Sequence, residues 1–295
     1  MINVVEKVKV VLIPDTNQLS YQGMKPIELH PEVLEFTDGS IRVTIPDMKP
    51  EYEHMYCTVD LFIESMNDVM IAAQIRDIIL NISKQKYFTL NILSTSYTRY
   101  DRVMFEDKTD SFGAKVFAAI LRSTGFDFFN FIDCHSNVMI DLIGDFDLDQ
   151  AKCVEATVGN LDNYNLIAPD KGAVKKNPNA NIICNKVRDV VTGNITGMEI
   201  THQEVNPFGD KFLVIDDICE GGRTFLEVAQ LYHRSVNHNQ DLELYITHGI
   251  FSNNAIPKLL QQFSKLHVYI MKKSLYDALT DLEQSRINVH TLVNV

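Results

Sequence analysis

The stretch Lys211–Val228, KFLVIDDICEGGRTFLEV, constrains this chain more than any other. Phe212–Ile215 is a short apolar, β-branched run, which predicts a buried strand. Asp216 and Asp217 stand where that strand is expected to end, and Gly221 and Gly222 follow. Thr224 then opens a segment with Phe225, Val228, Ala229 and Tyr232 at helical spacing. Strand, acidic pair, glycine loop and helix start together describe an anion site. Glycines let the backbone approach a phosphate, the first N–H groups of the helix point at it, and the helix dipole favours negative charge. Two aspartates cannot also bind phosphate, so their partners are expected to be sugar hydroxyls or a hydrated magnesium. A site that grips both a phosphate and the hydroxyls of one small molecule points to a ribose phosphate. An ordinary corner with a capping Asp would account for a lone Asp-Asp or Gly-Gly, but less readily for the whole string.

A chain of 295 residues is long enough for two domains, each with its own core. With 45% hydrophobic and 22% charged residues, it has the composition of a soluble globular protein. A net charge of −12 argues against a nucleic-acid partner, which needs a basic face, while leaving room for a small anion in a local positive pocket. Cys57, Cys134, Cys153, Cys184 and Cys219 show no C-x-x-C spacing. Neither a zinc site nor a disulfide framework is expected, and a reduced, cytoplasmic setting fits best. The N-terminal run is broken by charge and too short for a signal peptide, and no membrane span is expected.

Along the chain, Val8–Ile13, Ile41–Ile45, Thr89–Leu93 and Phe128–Ile132 read as strands, with helices over Met66–Leu80 and Phe112–Ser123. The second half repeats the rhythm: strands at Asn165–Ala168, Ala180–Cys184, Lys211–Ile215 and Leu242–Thr247, and helices after Gly172, Thr224 and Asn253. Alternating strands and helices predict an α/β chain of two domains with mostly parallel sheets flanked by helices. The turn-rich stretch from Gly144 to Asp162 is the expected passage, giving domains 1–146 and 147–295.

Five further segments carry polar chemistry in this framework: Phe36-Thr37-Asp38-Gly39-Ser40, Tyr97-Thr98-Arg99-Tyr100-Asp101-Arg102, Asp133-Cys134-His135, Ala168-Pro169-Asp170-Lys171-Gly172-Ala173 and Lys186-Val187-Arg188. Each has a plain reading: a hairpin turn at Asp38-Gly39, solvated surface turns, a structural histidine, a basic surface pair. Taken in order with the 211–228 loop and with Thr247-His248-Gly249-Ile250-Phe251-Ser252-Asn253-Asn254-Ala255, they resemble the motifs of ribose-phosphate pyrophosphokinases (PRPP synthetases). That family carries Phe-x-Asn/Asp-Gly-Glu, Tyr-x-Arg-Gln-Asp-Arg/Lys, Asp-x-His, Ser-Pro-Asp-Ala-Gly-Gly, Lys-x-Arg and Thr-His-Gly-(Ile/Val)-(Phe/Leu)-Ser-x-x-Ala. Ser111, Ala114 and Lys115 resemble its Ser-Ala-Lys helix start. The likeness runs from about Phe36 to about Ala255. This chain reads as a short, divergent member, of a kind that occurs in bacteriophages beside nicotinamide-transferring enzymes.

The resemblance implies two phosphoribosyltransferase-like domains and a magnesium-dependent transfer of the β,γ-diphosphate of ATP to the C1 hydroxyl of ribose 5-phosphate. It implies that Asp216 and Asp217 orient the ribose hydroxyls and that Glu220, Gly221, Gly222, Arg223 and Thr224 hold the 5-phosphate. His135 and Asp170 would fix the magnesium triphosphate, while Arg99, Asp101 and Arg102 would contact ATP. Phe36 and Asp38 would complete an adenine pocket in a neighbouring subunit, hence a homodimer or larger homo-oligomer. Lys186 and Arg188 would start a mobile catalytic loop, and the last twenty or so residues would pack back on the N-terminal domain. Departures are Ser40 for Glu, Tyr100 for Gln, Lys171 for Ala, and Gly221 and Arg223 in the phosphate loop. The last two open an alternative: an acceptor bearing a diphosphate, ADP-ribose, giving ADP-ribose 1-pyrophosphate for NAD rebuilding. A phosphoribosyltransferase and an inactive regulatory subunit are remoter alternatives. The 247–255 segment is absent from single-domain phosphoribosyltransferases, and an inactive subunit would be expected to lose His135, Asp170, Lys186 and Arg188.

Overall fold

A computed structural model describes residues 2–15, 17–18, 22–105, 109–188, 195–205, 209–235 and 241–295, with the backbone alone at 186–188 and 195–196. Strands are numbered β1–β16 and helices α1–α9 in chain order. The chain divides into two compact units, Glu6–Leu148 and Asp149–Val295, the latter joined by the chain's start through Val5.

In the first unit, β2 (Val8–Ile13), β3 (Ile27–Leu29), β6 (Tyr56–Phe62), β7 (Phe88–Ser94), β8 (Phe128–Ile132) and β9 (Phe146–Leu148) form one sheet in the order β3-β2-β6-β7-β8-β9. From β6 to β9 the pairing is parallel, while β2 runs antiparallel to both β3 and β6. The crossovers carry α1 (Met66–Leu80), α2 (Gly113–Ser123) and α3 (Asn137–Ile143). Asp68 fixes the start of α1 by accepting from the backbone N–H groups of Glu64 and Ser65, both at 2.8 Å. Apolar residues on alternate positions of β7, Phe88, Leu90 and Ile92, meet Ile75 and Ile79 of α1 and Phe117 and Leu121 of α2 in one core. β4 (Glu32–Glu35) and β5 (Ile41–Thr44) form a separate hairpin. Its β5 side rests on α1, where Gln74 bonds the Val43 N–H and the Ile41 carbonyl, both at 2.9 Å.

The second unit is an eight-stranded sheet in the order β1-β16-β15-β14-β13-β10-β11-β12. Its strands are β1 (Asn3–Glu6), β10 (Tyr164–Ala168), β11 (Ile182–Arg188), β12 (Ile195–Gln203), β13 (Lys211–Cys219), β14 (Asp241–Gly249), β15 (Lys265–Lys272) and β16 (Ile287–Asn294). From β11 to β16 neighbours are parallel, and β12 is an antiparallel edge. Helices are α4 (Gln150–Val158), α5 (Lys171–Lys176), α6 (Arg223–Ser235), α7 (Ala255–Leu260), α8 (Lys273–Asp277) and α9 (Asp281–Ser285). Phe225, Val228, Ala229 and Tyr232 are the buried stripe of α6, as their spacing predicts. β13 and β14 are buried along most of their length, as expected for central parallel strands covered on both faces.

The two mostly parallel sheets agree with the predicted fold class, and four details differ. The chain's start adds β1 to the C-terminal sheet rather than to the N-terminal one. The last twenty residues belong to the C-terminal unit as well, because β16 pairs with β15 through six residues there. Gly144–Asp162 is not only turns: it contains β9 and α4, whose Asp149 caps the Lys152 N–H at 2.9 Å. β15 and β16 lie beyond the last strand read from the sequence, although Val268–Met271 is a short apolar run of strand length.

Candidate functional site

In the C-terminal unit the parallel strands place the ends of β10, β13 and β14 on one edge of the sheet, where open α/β sheets bind ligands. The acidic pair lies within β13 rather than beyond it. Pairing with β14 continues through Asp216↔Ile246, Ile218↔His248 and Cys219↔Gly249. Thr247, His248 and Gly249 therefore stand directly beside the β13 end. The Ile250 and Phe251 N–H groups both donate to the Cys219 carbonyl, at 2.9 and 3.0 Å, which ties the two connections together.

Asp217 is buried and Asp216 half-buried. The Asp217 N–H donates to Asp216 Oδ1 at 3.0 Å. Burial, the Asp217 carboxylate and Asp170 together push the Asp216 carboxyl well above the usual carboxylate range. Asp170, just after β10, caps α5 by accepting from the Gly172 and Ala173 N–H groups at 2.9 and 3.1 Å. Lys176, the last residue of α5, puts its Nζ 3.2 Å from Asp217 Oδ2. The sequence gives no motif for Lys176; only its reach across the fold reveals it.

Beyond Cys219, Gly222 takes a left-handed conformation (φ 77°), and a β-carbon there would touch Leu259 of α7 at 3.4 Å. At Gly221 a β-carbon would meet nothing within 4 Å. The thirteen-residue helix α6 starts immediately after, so its first N–H groups face the Glu220–Thr224 loop. Arg223 is mostly exposed and its Nε donates to Glu227 Oε1 at 2.8 Å, one turn along the helix. Burial pushes the Cys219 thiol up to about 12, so it is not a nucleophile at neutral pH.

β11 runs through Lys186 and Arg188 instead of stopping at Cys184. Their backbones pair with Met198 and Ile195 of β12, because the antiparallel edge supplies ladder partners past Cys184. The expected mobile segment thus begins as a strand. Its residues 189–194 and the side chains of Lys186 and Arg188 lie outside the described residues.

In the N-terminal unit β7 and β8 are parallel neighbours, so the segments after them leave the same sheet edge. Arg99 closes a 3-10 turn (Ser96–Arg99) and is exposed, and Asp101 lies 3.7 Å from the Arg102 Nε. Tyr97 stacks on Phe117 with centroids 4.6 Å apart, anchoring that turn to α2. His135 is half-buried between β8 and α3 and follows Asp133, a buried residue at φ 41°. Such a conformation in an aspartate is a local strain of the kind that collects at functional sites. Phe36 and Asp38 occupy the β4–β5 turn. The Asp38 carboxylate accepts from the Ser40 hydroxyl and N–H at 2.6 and 2.9 Å, which lowers its pKa, while Phe36 is 47% exposed.

Among the described residues, no three His, Cys, Asp or Glu side chains gather closely enough to hold a metal unaided. Magnesium needs only one or two carboxylates beside substrate phosphates and water, and the crowding of Asp170, Asp216 and Asp217 would be relieved by a dication. No helix of the described chain is long and apolar enough to cross a membrane.

No family model matches the chain. The ribose-phosphate pyrophosphokinase of Cereibacter sphaeroides is 24% identical over 261 residues, which are 83% of this chain and 74% of that protein. The crystal structure of phosphoribosylpyrophosphate synthetase from Mycobacterium smegmatis matches with a TM-score of 0.65 at 17% identity, covering 89% of this chain and 86% of that one.

Proposed function

We propose that this chain is a ribose-phosphate pyrophosphokinase, like the relative and the solved structure that it resembles, and that it moves the β,γ-diphosphate of ATP to the C1 hydroxyl of a 5-phosphorylated ribose. The C1 hydroxyl gives up its proton to solvent, its oxygen bonds to the β-phosphorus, the bond from that phosphorus to the α-phosphate oxygen breaks, and AMP leaves. The observation that carries this reading is a single connection holding both grips. Asp216 and Asp217, near the end of a central parallel strand, would take the sugar hydroxyls, and four residues on a glycine turn enters a helix whose first N–H groups suit a phosphate.

In this reading Glu220–Thr224 cradles the 5-phosphate and Asp216 and Asp217 orient the ribose. Asp170 would hold magnesium with the triphosphate, where the metal would supply charge neutralisation, and His135 is a candidate contact of the triphosphate. Arg99, Asp101 and Arg102 contact ATP, and Lys186 and Arg188 balance charge on the transferring group, as positioning and electrostatics dominate phosphoryl transfer. Phe36 completes the adenine pocket of a second copy, so the active unit is at least a dimer. Sedimentation at assay concentration checks this, and a fully active monomer would refute it.

AMP release from ATP, measured with and without ribose 5-phosphate, tests the reaction. A rate independent of any ribose acceptor removes it. The second reading, ADP-ribose as acceptor, draws on the open space at Gly221, where a larger substituent has room. Arg223 lends it less: tied to Glu227, its fork is engaged along the helix. Equal concentrations of the two acceptors, assayed side by side, choose between them.

A further inference from the structure

The short helix α5 is fastened at both ends to the acidic cluster. Asp170 holds its first turn through two backbone N–H groups, and Lys176 at its last residue reaches Asp217 Oδ2 at 3.2 Å. Six residues of helix span about 9 Å, so α5 bridges the end of β10 to the side of β13. The Asp217 side chain is 5% exposed and that of Lys176 22%, so water screens the pair poorly. A buried carboxylate left without its cation is costly, and a carboxylate held by one charged donor is fixed in direction.

We propose that Lys176 is a positioning residue for acceptor binding, acting through Asp217. By holding Oδ2, the ammonium fixes the Asp217 carboxylate in one orientation, and with it the geometry that Asp217 and its neighbour Asp216 present to the sugar hydroxyls. The ammonium also offsets part of the negative charge gathered by Asp170, Asp216 and Asp217, which a phosphorylated sugar would otherwise meet as repulsion. The inference rests on reading Asp216–Asp217 as the hydroxyl grip.

The experiment measures ribose 5-phosphate binding by calorimetry, with magnesium and without ATP, for the full chain and for Lys176→Met, Lys176→Arg, Asp217→Asn and the Lys176→Met/Asp217→Asn double variant. The methionine variant is expected to melt at a lower temperature, and, in its folded form, to bind ribose 5-phosphate on the order of tenfold more weakly with the KM for ATP unchanged within about twofold. Arginine is expected to recover most of that loss. The double variant should bind no more weakly than Asp217→Asn alone, since the effect runs through Asp217. Lys176→Gln keeps length and a donor without charge; it covers the case in which the methionine variant does not fold, and should show a similar loss. Wild-type affinity in a folded uncharged variant, or losses that multiply in the double variant, overturns the proposal. A wild-type chain that binds ribose 5-phosphate without releasing AMP removes the transfer reading and leaves this one standing. One that binds neither ribose 5-phosphate nor ADP-ribose overturns both.

Discussion

Gly249 and the ring of Phe251 claim the same volume. A β-carbon on Gly249 would overlap Phe251 Cε2 and stand 2.9 Å from both Phe251 Cδ2 and Val268 Cγ1. Phe251 reaches that position with φ 48°, and Asn253 and Asn254 follow at 56° and 53°. Three non-glycine residues in the left-handed region within four positions are strain concentrated beside the Glu220–Thr224 loop. Gly249→Ala is expected to destabilise the fold by about 1–3 kcal/mol through overpacking, read by urea denaturation. A variant as stable as wild type would show that the ring yields freely.

Gly221 and Gly222 are adjacent and should respond oppositely. Gly222→Ala is expected to cost about 1–2 kcal/mol, from its positive φ and from Leu259 at 3.4 Å. Gly221→Thr has open space and should fold normally, while shifting acceptor preference towards ribose 5-phosphate by restoring a hydroxyl and bulk at the loop. Melting curves and paired acceptor assays check both. Equal stability losses at the two positions would sink the distinction.

Acid sensitivity should trace to Glu243. This buried carboxylate accepts from His267 at 2.7 Å, Tyr164 at 2.9 Å and Lys211 at 3.2 Å, across the starting ends of β10, β13, β14 and β15. Burial alone would raise its pKa, but these three bonds outweigh it and bring it down to about 2, against 4.5 unfolded. The folded state thus binds the proton more weakly than the unfolded one. The contribution is fully present above about pH 4.5 and is lost as pH falls towards 2. It amounts to about 1–3 kcal/mol. Glu243→Gln should be less stable at pH 7 yet lose less on acidification. An unchanged pH slope would exclude Glu243 as its source.

Lys186→Ala is expected to lower kcat on the order of 100-fold without changing the melting temperature, by analogy with removing one preorganised charge donor. Near-normal AMP release in that folded variant would take Lys186 out of the mechanism.

The sequence by itself determined the alternation of strands and helices, the buried stripe of α6 and the order of the polar motifs, because periodicity and turn chemistry are local. It also singled out the Asp216–Asp217 pair and the Gly221–Gly222 loop by their residue types alone. The length of β13 was not legible: it continues through the acids to Cys219 because β14 supplies ladder partners there. The same holds for β11, extended to Arg188 by β12, and for the chain's start, drawn into the C-terminal sheet at its β16 edge. Lys176 and Asp217 are 41 positions apart, and nothing in a lysine pair after a helix cap marks one of them as the partner of a buried acid. Strand pairing and the crossing of α5 decide that contact, since a charge leaves water only where another chain segment brings its counter-charge within reach.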